Sequence, residues 1–119
     1  MRTLDTSLSD VLASPGTIGV LLVDAVSGLT YAAAGDRTAV GSGEALSELA
    51  ELVADGLHQA GADGELESIV VTGRRRHHIV QVVPRQGDPL LLAVVVDRER
   101  TNLALAMRET ATHAENLLA

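Results

Sequence analysis

The 119-residue chain contains no cysteine, no lysine, no phenylalanine and no tryptophan. Without cysteine there is no disulfide scaffold, no thiolate zinc site and no cysteine nucleophile. Without lysine there is neither the Gly-Lys-Ser/Thr end of a Walker-type phosphate loop nor an amine for Schiff-base chemistry. All nine basic residues are Arg and the aromatics reduce to Tyr31, amid abundant Ala, Val, Leu and Gly. That bias fits a GC-rich, bacterial coding sequence. No apolar run approaches the ~20 residues of a membrane span, and the start, Met-Arg-Thr-Leu-Asp-Thr, is not a basic stretch followed by an apolar one. A cytoplasmic protein is expected. Sixteen acidic side chains leave a net charge of -7, which repels a phosphate backbone or an anionic membrane from the chain as a whole.

What is present is a strongly patterned 46% of apolar residues, enough for one hydrophobic core in a single domain spanning residues 1–119. Leu4, Leu8, Val11 and Leu12 recur at helical spacing from Thr3 to Ala13, and Ser14-Pro15-Gly16 stops that helix. Thr17 to Val23 is apolar at odd and even positions alike, the mark of a strand buried on both faces. Asp24 to Gly28 supplies a turn, and Leu29 to Ala33 returns as a weaker, edge-like strand. Gly35 to Gly43 reads as a glycine-rich loop. Leu46, Leu49, Ala50, Val53, Leu57 and Ala60 then stripe a long helix ended by Gly61-Ala62-Asp63-Gly64.

The opposite face of that helix carries Glu44, Ser47, Glu48, Glu51, Asp55 and His58, either as a solvated face or as an acidic partner surface. Gly56, in the helix interior, is costly unless another backbone comes close. Glu67 to Thr72, His77 to Val83 and Pro89 to Val96 read as three more strands whose short connections imply antiparallel pairing. Asp97 would cap a last helix carrying Leu103, Ala106, Met107, Thr110, Ala114 and Leu117. The order is α-β-β-α-β-β-β-α. Two doubly buried strands require helices on both faces, so the expectation is an α/β (α+β) three-layer α/β/α sandwich around a five-stranded, mostly antiparallel sheet.

Catalytic constellations are thin. There is no zinc-protease helix and no dinucleotide-binding glycine turn, and Gly41-Ser42-Gly43 lacks the flanking glycines of a nucleophile elbow. His77 and His78 are neighbours on a strand, so they point to opposite faces and cannot readily share a metal. No catalytic residue, cofactor or metal is assigned. Charge, by contrast, is polarised: residues 1–73 hold two Arg against eleven Asp and Glu, the remainder seven against five. Arg74-Arg75-Arg76, between the third and fourth strands, is either a solvated hairpin tip or a docking patch for an acidic partner.

The element order over essentially the whole chain resembles the Roadblock family of dynein light chain and bacterial GTPase-partner domains. The residues carrying it are Pro15-Gly16-Thr17-Ile18-Gly19-Val20-Leu21-Leu22-Val23-Asp24, Ser27-Gly28-Leu29, and the Leu46 to Leu57 helix. The Arg74 to Arg76 turn and the shortage of aromatics depart from it. The resemblance implies a profilin-like Roadblock fold and a homodimer or related heterodimer, with long helices paired and third strands joined edge to edge. Glu67, Ile69, Val71, Leu49, Val53 and Gly56 would form that interface. It further implies a non-enzymatic regulator or scaffold of a small Ras-like GTPase, with Arg74, Arg75, Arg76, Glu48, Glu51 and Asp55 as docking residues. The alternatives are a scaffold without effect on hydrolysis and a small-molecule-sensing α/β domain, which would need a cavity.

Overall fold

The computed structural model describes residues 3–62 and 66–117. Thr3 begins the first helix, α1 (Leu4–Leu12), by accepting the Thr6 N–H on its hydroxyl at 3.1 Å, which satisfies one of the donors a helix start leaves open. Leu8 and Val11 bury its inner face. Gly16, at φ +85, turns the chain into β1 (Thr17–Asp24). The Asp24 carboxylate then organises the hairpin, accepting Val26 N–H at 2.8 Å and Ser27 N–H at 2.9 Å, before β2 (Thr30–Gly35) runs back antiparallel.

The stretch expected to be a plain loop contains a one-turn helix, α2 (Arg37–Val40). Its cause is local: Asp36 accepts both the N–H and the hydroxyl of Thr38, at 2.9 and 2.6 Å. Ser42 caps the long α3 (Gly43–Gln59) through the Ala45 N–H. Gly61 has φ +79 beyond the end of α3, while Asp63 and Gly64 of the expected turn lie outside the described residues. There follow β3 (Ser68–Thr72), β4 (Arg76–Val83), β5 (Leu90–Asp97) and α4 (Leu103–Leu117).

The five strands form one sheet, in the order β2-β1-β5-β4-β3, and every neighbouring pair is antiparallel. The two strands expected to be central, β1 and β5, are adjacent, with Leu21 opposite Ala93 and Leu22 opposite Leu92. Side-chain alternation splits their apolar residues into two cores. On one face Val20, Leu22, Leu92, Val94 and Val96 meet Leu8 and Val11 of α1 and Ala106, Ala114 and Leu117 of α4. On the other, Leu21, Val23, Ala93 and Val95 meet Val40 of α2 and Ala50 of α3. The three-layer sandwich is thus what double burial of β1 and β5 demands, and each fully buried Leu, Ile or Val stabilises it by about 1.5–3 kcal/mol.

Two further expectations are corrected. Asp97 does not cap α4: it is the last residue of β5, opposite Arg76, held by its N–H to the Gly16 carbonyl at 2.8 Å. Asn102 is the residue whose side chain accepts the Leu105 N–H at the helix start, while Asp97 accepts the Glu99 N–H in the preceding turn. Ser47 is not on the solvated face of α3 but 7% exposed, donating to the Ala25 and Val26 carbonyls at 2.7 and 3.0 Å. A hydroxyl reads as polar, yet here it satisfies turn carbonyls that the sheet leaves over.

Candidate functional site

An edge strand shows half of its backbone polar groups to whatever lies beside the sheet. Among the described residues β3 pairs with β4 alone, so its outer edge is open. Ile69 is half-buried and Val71 is 46% exposed, and both stand on the face that carries Val80 and α3. Glu67, two residues earlier, is exposed, and its carbonyl accepts the Val82 N–H, which extends the pairing with β4.

α3 presents more apolar surface than the sheet covers. Gly43, Ser47 and Ala50 are its buried residues. Leu49 and Val53 are half-buried, Gly56 is exposed with nothing within 4 Å of where a Cβ would stand, and Leu52 is 71% exposed. Positions 49, 52, 53 and 56 are spaced i, i+3, i+4 and i+7, so they form one stripe turned away from the sheet. Leu52 falls outside the stripe assigned from spacing. The signal for it was its place three residues after Leu49, which widens the apolar arc beyond what one sheet needs. The adjoining flank carries Glu44, Glu48, Glu51 and Asp55, all exposed.

The arginines collect at one end of the sheet, where β2 and β5 finish and β1 and β4 begin. Gly73 N–H to Arg76 carbonyl, 2.9 Å, closes a two-residue tip made of Arg74 and Arg75, so Arg76 belongs to β4 and not to the turn. Arg98 locks the tip from the side, its N–H on the Arg75 carbonyl and its guanidinium on the Gly73 carbonyl at 3.2 Å. Arg37 of α2 and Arg100 lie at the same end, and all six are exposed. Asp36 is held below its ordinary carboxylate value by the Thr38 hydroxyl first and backbone N–H groups next, with the Arg76 charge adding to them. His78 is held below the usual imidazole value by burial first and by Arg76 second. Arg37, Arg98 and Arg100 were not predicted as part of this group, since only the topology brings them to the hairpin tip.

At the opposite end, Arg85 bridges two loops. Its Nη2 lies 3.3 Å from both Asp24 Oδ2 and the Tyr31 hydroxyl, its Nε donates to the Asp88 carbonyl at 2.6 Å, and the guanidinium stands 5.4 Å from the Tyr31 ring centre. Asp24 is held below the ordinary carboxylate value chiefly by the Ser27 and Val26 N–H groups. Beside this clasp lies an open cleft of about 1090 Å³, walled by Ala50 and Ala54 of α3, Val82, Leu91 and Ala114, with Glu51, Glu67 and Glu115, all exposed, among its lining residues. His77 is buried with its Nδ1 2.9 Å from the Thr72 hydroxyl, while His78 faces the other side of the sheet. No group of three or more metal-ligating side chains occurs among the described residues.

No family model and no curated protein matches the sequence. Solved structures do. A Roadblock/LC7 domain from Streptomyces avermitilis superposes with a TM-score of 0.80 at 22% identity, covering 98% of this chain and 96% of that one. The chain has the Roadblock/LC7 fold. Myxococcus xanthus MglB follows at TM-score 0.73 and 15% identity over 97% of this chain and 94% of that one. A structure described as MglB with tetrameric arrangement gives 0.70 and 21% over 96% and 84%.

On this Roadblock fold, the residues expected at an interface fall on two elements. Ile69 and Val71 share one side of β3 at the open edge, with Glu67 just before the strand, and Leu49, Val53 and Gly56 share one flank of α3. The residues expected to dock a partner stand on separate elements. Arg74, Arg75 and Arg76 stand at one end of the sheet, whereas α3 starts beside Gly28, at the other end, and carries Glu48, Glu51 and Asp55 along its length.

Proposed function

We propose that this chain is a single Roadblock-type domain that acts as a homodimeric, non-enzymatic regulator or scaffold of a small Ras-like GTPase, altering its nucleotide cycle or location in the cytoplasm. The observation that carries the reading is an open, apolar strand edge beside a helix with an uncovered apolar stripe, both in a fold shared with MglB proteins. An exposed edge without Lys or Pro is an aggregation hazard for a monomer. Pairing of two β3 edges removes it, and the stripe of Leu49, Leu52, Val53 and Gly56 then faces the partner's α3. Arg74 to Arg76 and the acidic flank of α3 are the charged surfaces available for docking.

The test is the mass in solution by light scattering over a concentration series, alone and with the small GTPase encoded nearest to the gene, loaded with GDP or a GTP analogue. A concentration-independent dimer that binds the GTP-analogue form supports the regulator and calls for a hydrolysis assay. A monomer that ignores both forms overturns it. The second reading, a small-molecule sensor, is favoured by the cleft, whose lining joins apolar residues with three glutamates. A rise in melting temperature with apolar amines, and with no GTPase bound, would select it.

A further inference from the structure

The two charged surfaces of this chain are complementary to each other. Arg37, Arg74, Arg75, Arg76, Arg98 and Arg100 occupy one end of the sheet, and none makes an ion pair among the described residues, where Arg85 with Asp24 is the pair formed. Of the carboxylates at that end, Asp36 caps α2 through Thr38 and Asp97 accepts the Glu99 N–H, while Glu99, exposed between Arg98 and Arg100, offsets only one of the six positive charges. On α3, Glu44, Glu48, Glu51 and Asp55 are exposed and likewise pair with no arginine among the described residues. From β4, which follows the Arg74-Arg75 tip, across β5 and β1 to β2, which precedes Arg37, is three strand spacings, about 14 Å. From Glu44 to Asp55 along α3 is about 16 Å. The two rows are opposite in sign and similar in length.

They form no pair with each other within one chain among the described residues, where the arginines stand at the Arg74 end of the sheet and α3 begins beside Gly28 at the other. We propose that the arginine end of one copy docks on the acidic flank of α3 of another, a head-to-tail contact distinct from edge pairing of β3. Such a contact is heterologous, so a docked pair keeps one free row of each sign, and further copies can add unless the rotation closes a ring. The acidic flank adjoins the Leu49, Leu52, Val53 and Gly56 stripe without including it, so covering the stripe leaves the carboxylates available. Exposed ion pairs are individually weak, which makes the association one of concentrated protein and of moderate ionic strength. The proposal rests on the dimer reading only for the size of its repeating unit.

The experiment reads weight-average mass at about 1 mM protein as sodium chloride falls from about 1 M to about 0.1 M, over which the screening length grows from about 3 Å to about 10 Å. The high-salt mass reports the unit, monomer or dimer, and so tests the edge interface separately. On lowering the salt, the mass is expected to rise by about twofold or more as screened pairs form. R74E/R75E/R76E should abolish that rise, and so should E48R/E51R/D55R. The six-fold combination, which keeps the parent's net charge, should restore it. The acidic-flank variant alone is nearly neutral, so a greater rise than the parent's would point to lost repulsion and overturn the proposal. So would a flat salt series, or a combination no better than either half. R74A/R75A/R76A and E48Q/E51Q/D55N, milder changes at exposed positions, must give the same losses.

Discussion

Gly56 separates two ways of reading α3, because the same substitution has opposite signs in them. Nothing lies within 4 Å of the Cβ that Gly56→Ala would add, and its φ is not positive. Within one chain the change is therefore only a gain in helix propensity, about 1 kcal/mol. For a domain of this size that raises the melting midpoint by roughly 3–5 °C. If a second α3 packs across the stripe, the new methyl stands where two backbones approach. The dimer should then weaken by about tenfold, equivalent to about 1.4 kcal/mol. The two effects are read apart by thermal denaturation in a Val71→Asp background, where the chain is expected to be monomeric, and by sedimentation equilibrium of Gly56→Ala alone. A raised midpoint with an unchanged dimer would remove Gly56 from any interface. A lowered midpoint in the monomeric background would refute the inference that the site is open space.

Val71→Asp places a charge at the open edge of β3, and gel filtration with light scattering should show a monomer or insoluble protein; an unchanged dimer excludes this edge. Gly19→Ala would put a Cβ 2.6 Å from the Asp36 carbonyl and 2.8 Å from Val40, so urea denaturation should show a loss of about 1–3 kcal/mol. A loss below about 0.5 kcal/mol would mean that α2 yields freely. Asp24 has a folded pKa below the ordinary 3.8, so its contribution to stability is complete above that value and disappears as pH falls through the lower, folded one. Asp24→Asn should accordingly lower stability near neutrality and flatten the acid limb of the stability profile; an acid limb of unchanged slope would assign it to other carboxylates.

Much of the fold is legible because β1 and β5 carry unbroken apolar runs, Val20 to Val23 and Leu90 to Val96, which force two cores and hence helices on two sides. The strand order is legible less directly, through the short connections between β3, β4 and β5. Capping is where reading fails: Asp36, Asp97 and Asn102 are all competent caps by chemistry, and the N–H groups of Asp36 and Asp97 are both bonded across the sheet, to the Ile18 and Gly16 carbonyls. What separates them is the next turn, where Asp36 holds Thr38 at the start of α2 while Asp97 holds Glu99 in a turn that ends before Asn102. The candidate surfaces divide in the same way. The alternation of Ile69 and Val71 at an edge is visible in the chain, whereas the joining of Arg37, Arg98 and Arg100 to the Arg74-Arg75 tip is a property of the sheet's topology. Leu52 is hidden by an assumption, that a leucine on an amphipathic helix faces inward.

The clasp at the other end of the sheet gives this protein an optical property. Tyr31 is its sole ultraviolet-emitting side chain, and it is 41% exposed with Arg85 against its ring and hydroxyl. Every change in intrinsic fluorescence therefore comes from one address, where the β1–β2 turn meets the loop before β5 beside the apolar cleft. Filling of that cleft, or release of Arg85 from Asp24, is readable without a label, while events at the arginine end are dark. A nucleotide-free partner with no tyrosine or tryptophan at its surface would leave the signal unmoved unless it touched that corner, so emission alone maps which end of the molecule a ligand has reached.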